Sequence, residues 1–281
     1  MRWSPAQLVE RHDHMAKPEY SVLIRTFNSE ATLPDTLGYL ANQSARPSQY
    51  VFVDSGSCDR TLALFPSGST VHKYIGKDFN YSDALNQGLE YVSSEYVLII
   101  SSHTFLTDPE AVKFAITILE ENERFGAAYF CHERDRPLRY ASIDKENFDG
   151  SNGLWNTCSL IRLDVLKRRK FRPEVFSAED QEWASWLISS EGRAVARISG
   201  AGAINGNPLV HSLRKLRNEY VSIAYFIDRS RLRWSNILRI VASAVEPAGG
   251  RRLRHRVSQL LLAGRLVAAR FSKPTTRSRY F

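Results

Sequence analysis

The sequence predicts an α/β fold: a mostly parallel sheet flanked by helices, followed by a basic helical extension at the C-terminus. Three observations carry this. Short β-rich apolar runs alternate with stretches of helical spacing, the pattern of βαβ units. The 281 residues are 43% hydrophobic, enough for one large core with an appendage rather than two equal domains. The net charge of +8 is unevenly placed, because residues 211–281 hold 16 Lys+Arg against 3 Asp+Glu and the first 210 hold 22 against 27. The division expected is therefore a body at 18–210 and a basic helical extension at 211–281, suited to an anionic membrane surface or to nucleic acid.

The elements follow in order. SVLIRT (21–26) and QYVFVDS (49–55) are strands, and between them Leu33, Leu37 and Leu40 recur at helical spacing, with Ser29 as N-cap. A strand at 71–75, a helix at 82–92 and the strand at 96–101 come next. Asp108-Pro109-Glu110 supplies an N-cap, a first-turn proline and an acid matched to the helix dipole. The stretch 134–156 is polar and irregular, as an active-site loop would be. Helices at 163–168 and 178–190, the latter stopped at Gly192, and a short strand at 194–198 complete the body. Parallel sheets bind ligands beyond the carboxyl ends of their strands, where Asp54 and His103 both fall.

Composition bounds the setting. Cys58, Cys131 and Cys158 are scattered, with no Cys-x-x-Cys pair, which fits a reducing cytosol and argues against a disulfide framework or a structural zinc site. No apolar core follows the N-terminal MRWSPAQLVERHDHMAK, and no apolar run reaches the roughly 18 residues of a spanning helix.

The first turn holds Thr26, Phe27 and Asn28. Gln43 stands at a helix end, and Asp54, Ser55, Gly56, Ser57, Asp59 and Thr61 form a second turn. This run, SVLIRTFNSEATLPDTLGYLANQSARPSQYVFVDSGSCDRT, resembles the N-terminal half of family 2 glycosyltransferases of the GT-A fold. The likeness continues through FNYSDALNQGLEYVSSEYVLIISSHTF and FRPEVFSAEDQEW, covering most of residues 20–211.

On their own chemistry, a carboxylate at the end of the second strand can accept the ring N–H of a uracil-like base, and the backbone of Thr26 and Phe27 can pair with it. The resemblance implies nucleoside contact by Asp54; the other reading is that Asp54 and Asp59 only cap turns around Gly56. With Asn28, Ser55 and Ser102 these residues form the expected donor site. Asn86 and Gly88 resemble an Arg-Asn-x-Gly element near the donor phosphates, but Ala84 and Leu85 precede Asn86 and the arginine is absent; Lys77 or Asn80 could stand in for it. Where the family carries a metal-binding Asp-x-Asp, this chain has Ser101, Ser102 and His103. Neutral imidazole is a competent ligand for Mn²⁺ or Mg²⁺, suiting Mn²⁺ better, and His211 resembles a C-terminal histidine that completes the metal or diphosphate site in related enzymes. Metal-independent turnover, with His103 or a basic residue balancing the diphosphate, stays open.

The resemblance assigns Asp180 as general base, with Glu179 positioning acceptor or base, in an inverting transfer; acids also favour helix N-termini for dipole reasons. Trp155 and Asn156 lie in the expected acceptor loop, where the ring could stack on a sugar and the amide bind a hydroxyl; Trp183 and Trp186 read as core or interface. In the tail, arginines interleave with Leu253, Val257, Leu260 and Leu261, as in a helix lying in a headgroup layer. The expectation is an enzyme at the inner membrane face, moving sugar from a nucleotide sugar to a lipid-linked saccharide acceptor in surface polysaccharide synthesis. The rivals are an inactive sugar-nucleotide-binding protein and a nucleic-acid-binding protein; no recognised nucleic-acid module accompanies the charge.

Overall fold

The computed structural model describes residues 19–132, 137–206, 212–245 and 253–274. Its centre is an eight-stranded sheet in the order β3-β2-β1-β4-β8-β6-β9-β7. The strands are β1 (Tyr20–Thr26), β2 (Gln49–Asp54), β3 (Thr70–Lys73), β4 (Tyr96–Ser101), β6 (Phe125–Phe130), β7 (Arg139–Ile143), β8 (Cys158–Arg162) and β9 (Ala194–Ser199). The run β3-β2-β1-β4 is parallel, as is β6 with β9, whereas β8 is antiparallel to both neighbours. A ribbon of β5 (Thr104–Leu106) and β10 (Ala203–Asn205) stands apart.

Alternation along the strands sends side chains to two cores. Tyr20, Val22 and Ile24 join α1 (Leu33–Ala41) and α3 (Ala111–Glu121) on one face. Leu23, Val51, Val97 and Ile99 join α2 (Tyr81–Leu89) and α5 (Glu179–Ser189) on the other, where Trp183 is fully buried as expected. Gly88 lets α2 approach closely, since a Cβ there would stand 2.4 Å from Leu23 Cδ1. A short α4 (Leu163–Arg168) follows β8. Then α6 (Leu213–Phe226), α7 (Trp234–Val245) and α8 (Leu253–Phe271) enclose a third cluster of Val221, Leu232, Ile237, Leu262 and Leu266.

Local details differ from expectation for identifiable reasons. The Ser29 side chain does not cap α1; Thr32 holds the N-cap, and the Ser29 hydroxyl pairs instead with that of Ser102 at 2.8 Å. Asp108 closes a turn onto Glu110 N, and α3 starts at Ala111. Its Val112 N–H is satisfied by Gln43 Oε1, whose Nε2 donates to Asp108 O at 2.9 Å, so Gln43 ties two helix ends together. The polar stretch expected as loop contains β7 at the sheet edge. His211 lies outside the described residues.

Candidate active site

The carboxyl ends of β1, β2 and β4 and the start of β8 meet at one edge of the sheet. Thr26 Oγ1 donates to Asp54 Oδ1 at 2.9 Å, and Ser55 N donates to Thr26 O at 3.0 Å. Asp54 also accepts from Ser57 Oγ at 2.5 Å and from the backbone N–H groups of Gly56 and Ser57, each at 2.9 Å. A carboxylate has about four acceptor positions, so Asp54 braces the turn with all of them. Asn28 sits at φ 46° and ties the first turn to the second: its N–H donates to Ser57 Oγ and its Oδ1 accepts from Cys58 N. Thr26 is buried, Ser55 half-buried and Asn28 exposed on the rim.

Asn86 has a different occupation from the expected one. Its amide donates to Phe171 O at 2.7 Å and accepts from Phe171 N at 3.1 Å, pinning the segment before α5 to α2. Asn80 caps α2 through Asp83 N and donates to Pro173 O. Both amides are engaged by neighbouring backbone.

The start of α5 is built with care. Ala178, its N-cap, sits in the left-handed region at φ 58°, which a residue bearing Cβ adopts at a cost of order 1 kcal/mol. Such outliers cluster at functional sites. Gln181 clamps the preceding loop by accepting from Gly153 N at 2.8 Å and donating to Leu154 O at 2.6 Å. This brings Asn156 N to 3.1 Å from Asp180 Oδ2. Asn156 is 2% exposed, and its Nδ2 is buried without a hydrogen-bond partner among the described residues. Removal from water, then the neighbouring Glu179 carboxylate and more weakly Glu219, push Asp180 up to about 7, against the N–H groups of Asn156 and Gln181, which pull it down. Glu179 is buried. Trp155 lies in the same loop, half-buried, with its ring 5.0 Å from that of Tyr129.

The antiparallel entry of β8 joins the two halves: Ser101 N donates to Thr157 O at 3.0 Å, one residue from Asn156. Arg25 is paired in register with Ser101 and lies on the α2 face, its guanidinium 4.7 Å from the Tyr81 ring. Sequence reasoning missed it; a lone arginine next to the end of an apolar strand was the available signal. His103 follows in the turn after β4. Burial, then the positive charges of Arg25 and Lys215, lower it to about 4, so its imidazole is neutral at pH 7.

These residues match known proteins as follows. The description "Glycosyl transferase family 2" matches residues 21–169, more than half the chain. The chain belongs to glycosyl transferase family 2. Among its relatives is a PGL/p-HBAD biosynthesis glycosyltransferase of Mycobacterium tuberculosis, 28% identical over 120 residues, or 41% of this chain and 47% of the relative. A poly-beta-1,6-N-acetyl-D-glucosamine synthase of Staphylococcus epidermidis is 25% identical over 124 residues, 43% of this chain and 30% of that one. The matches thus span under half the length of these relatives. The mannosyltransferase PcManGT from Pyrobaculum calidifontis, solved with GDP-Man and Mn²⁺, superposes with a TM-score of 0.60 at 16% identity, covering 91% of this chain and 87% of that one. The fold of this family 2 chain is GT-A.

A divalent cation of the kind held by that neighbour does not fit the residues of the β4 turn. Ser101 and His103 stand where the Asp-x-Asp pattern has its two carboxylates, and the charged groups bearing on His103 are the cations Arg25 and Lys215. Among the described residues no group of three or more His, Cys, Asp or Glu could hold a metal ion.

Proposed function

We propose that the chain is an inverting glycosyltransferase that moves a sugar from a nucleotide donor to a saccharide hydroxyl in the building of a surface polysaccharide. The observation that carries this reading is the Asp180 carboxylate. It is held by Asn156 N and Gln181 N at the edge where the parallel strands end, and tuned to about 7. A base near the operating pH combines an adequate ionised fraction with adequate proton affinity. The acceptor hydroxyl gives its proton to Asp180 as its oxygen bonds to the anomeric carbon. The bond from that carbon to the donor's diphosphate oxygen breaks on the opposite side, and the electron pair leaves with the nucleoside diphosphate.

The donor's nucleoside is proposed to lie over the rim formed by Thr26, Phe27, Asn28 and Ser55. Asp54, fully engaged by the turn, holds that rim in shape, and the Ser102 hydroxyl, bonded to Ser29, supports it from below. Asn156 offers its unpartnered Nδ2, and Trp155 its ring, to the acceptor; Glu179 helps to set the base. The bound GDP-Man of the Pyrobaculum neighbour and the sugar-polymer relative support the donor class and the product class, respectively.

The basic extension is proposed to dock on an anionic membrane at its inner face, which suits a lipid-linked acceptor. Along α8 the exposed positions Leu253, Val257, Leu260, Leu261 and Phe271 form one apolar stripe, within a segment rich in arginine. Among the described residues no helix is long and apolar enough to cross a membrane. Nucleic acid is the less favoured partner, since a duplex offers phosphates but nothing for the apolar stripe.

The test is a screen of nucleotide sugars by thermal shift, followed by nucleotide release from the stabilising donor with saccharide acceptors. A true donor raises Tm by mass action and is consumed only by the wild type. Stabilisation without turnover under any acceptor would favour the inactive binding protein.

A further inference from the structure

Arg25 is a cation placed where a simple structural role explains little. It is the penultimate residue of β1, after the apolar run Val22–Ile24, and its Nη1 is buried with no hydrogen-bond partner among the described residues. No carboxylate salt-bridges it among the described residues; an aromatic face, Tyr81 at 4.7 Å, orients it instead. Burying a guanidinium donor unsatisfied is unfavourable, and the cost is removed when an anion arrives. The strand register puts Arg25 beside Ser101, at the turn that carries Ser102 and His103. From α6, Lys215 adds positive charge at His103, and its partner is the i+4 residue Glu219 at 3.7 Å, an ion pair loose enough to exchange. Two cations around a neutral imidazole and two hydroxyls repel a divalent metal and attract a diphosphate, for which the planar guanidinium fork is well shaped.

We propose that Arg25, assisted by Lys215, binds the diphosphate of the nucleotide sugar directly and balances its charge in place of a divalent cation. Arg25 also supplies, from a strand, the positive group missing before Asn86. This rests on the sugar-nucleotide reading above.

The experiment is titration calorimetry of the full chain with UDP and with GDP, each in EDTA and in excess Mn²⁺, with the matching monophosphates as controls. One diphosphate is expected to bind in EDTA within about threefold of its affinity in Mn²⁺. Arg25→Gln is expected to weaken it by about tenfold or more, while changing the monophosphate's affinity less. Arg25→Lys should fall between, keeping charge and losing the fork. Lys215→Gln, on a partly exposed helix position, should weaken diphosphate binding about threefold and gives a second reading should the strand variant fail to fold. Binding that requires Mn²⁺, or full affinity in Arg25→Gln, would overturn the inference and leave the transferase reading standing. Failure of both diphosphates to bind under every condition would overturn the reading on which it rests, and the inference with it.

Discussion

At the scale of single residues, the site is a balance between groups kept from their ordinary charge states. Asp180 must be ionised to take a proton, so with the group near 7 the transfer rate is expected to rise from pH 6, where about a tenth of the sites are charged, and to level off above pH 8. The same shift has a stability sign. Between about pH 4 and 7 the folded chain holds a proton on Asp180 that the unfolded chain has lost, so stability falls as pH rises through that window. Asp180→Asn should therefore raise Tm at pH 8 by more than at pH 5. His103 works the other way: from about pH 6.5 down to 4 the unfolded chain binds a proton that the folded one refuses, because the ring is buried and Arg25 and Lys215 are near. Stability is lost as pH falls through that range, and His103→Gln should flatten the loss in pH-dependent thermal unfolding. Asp180 was legible in the sequence because it lies in a recognisable acidic pair at a helix start. Arg25 was not, because nothing in a strand pattern tells which residue of the next strand it will face.

At the scale of elements, the proposed catalysis depends on how the start of α5 is fixed. Glu182, one turn into α5, is buried and accepts from Arg169 at 2.6 Å and Arg172 at 3.2 Å, which locks the helix to the segment after α4. Glu182→Ala removes charge-assisted hydrogen bonds from two arginines that are themselves part-exposed, so it is expected to cost about 1–3 kcal/mol in denaturant unfolding. Ala178→Gly relieves a left-handed alanine and should stabilise by about 0.5–1 kcal/mol. Strands with β-rich composition, β1, β2 and β4, could be read directly. FGAAYF of β6 could not, because small residues buried on both faces carry neither alternation nor β-branching. β7, an edge strand with Arg139 and Tyr140 exposed, reads as loop until its pairing with β9 is seen.

At the scale of the molecule, the two proposed functions occupy two regions: chemistry at the sheet edge and attachment through the helices α6 to α8. The interleaved arginines were visible in sequence, but which of them face water was not. Arg217 donates to Ser258 Oγ, Arg265 to Asn218 and Arg270 to Leu232 O, so part of the basic character holds the helices together. The apolar stripe of α8 remains outward, with Arg254 exposed beside it. Leu260→Glu with Leu261→Glu should reduce sedimentation with phosphatidylglycerol vesicles by about tenfold or more, leave neutral phosphatidylcholine binding low, and leave Tm nearly unchanged because both side chains are about half exposed, at 47% and 52%. Unaltered sedimentation would place the attachment elsewhere.

The most direct measurement is single-turnover transfer from the stabilising nucleotide sugar to its acceptor, with the anomeric configuration of the product read by NMR, in wild type and Asp180→Asn. The proposed chemistry predicts an inverted product from the wild type and a rate about 10²- to 10⁴-fold lower in the variant, with donor affinity retained. A retained configuration, or an Asn variant as fast as the wild type, would contradict it.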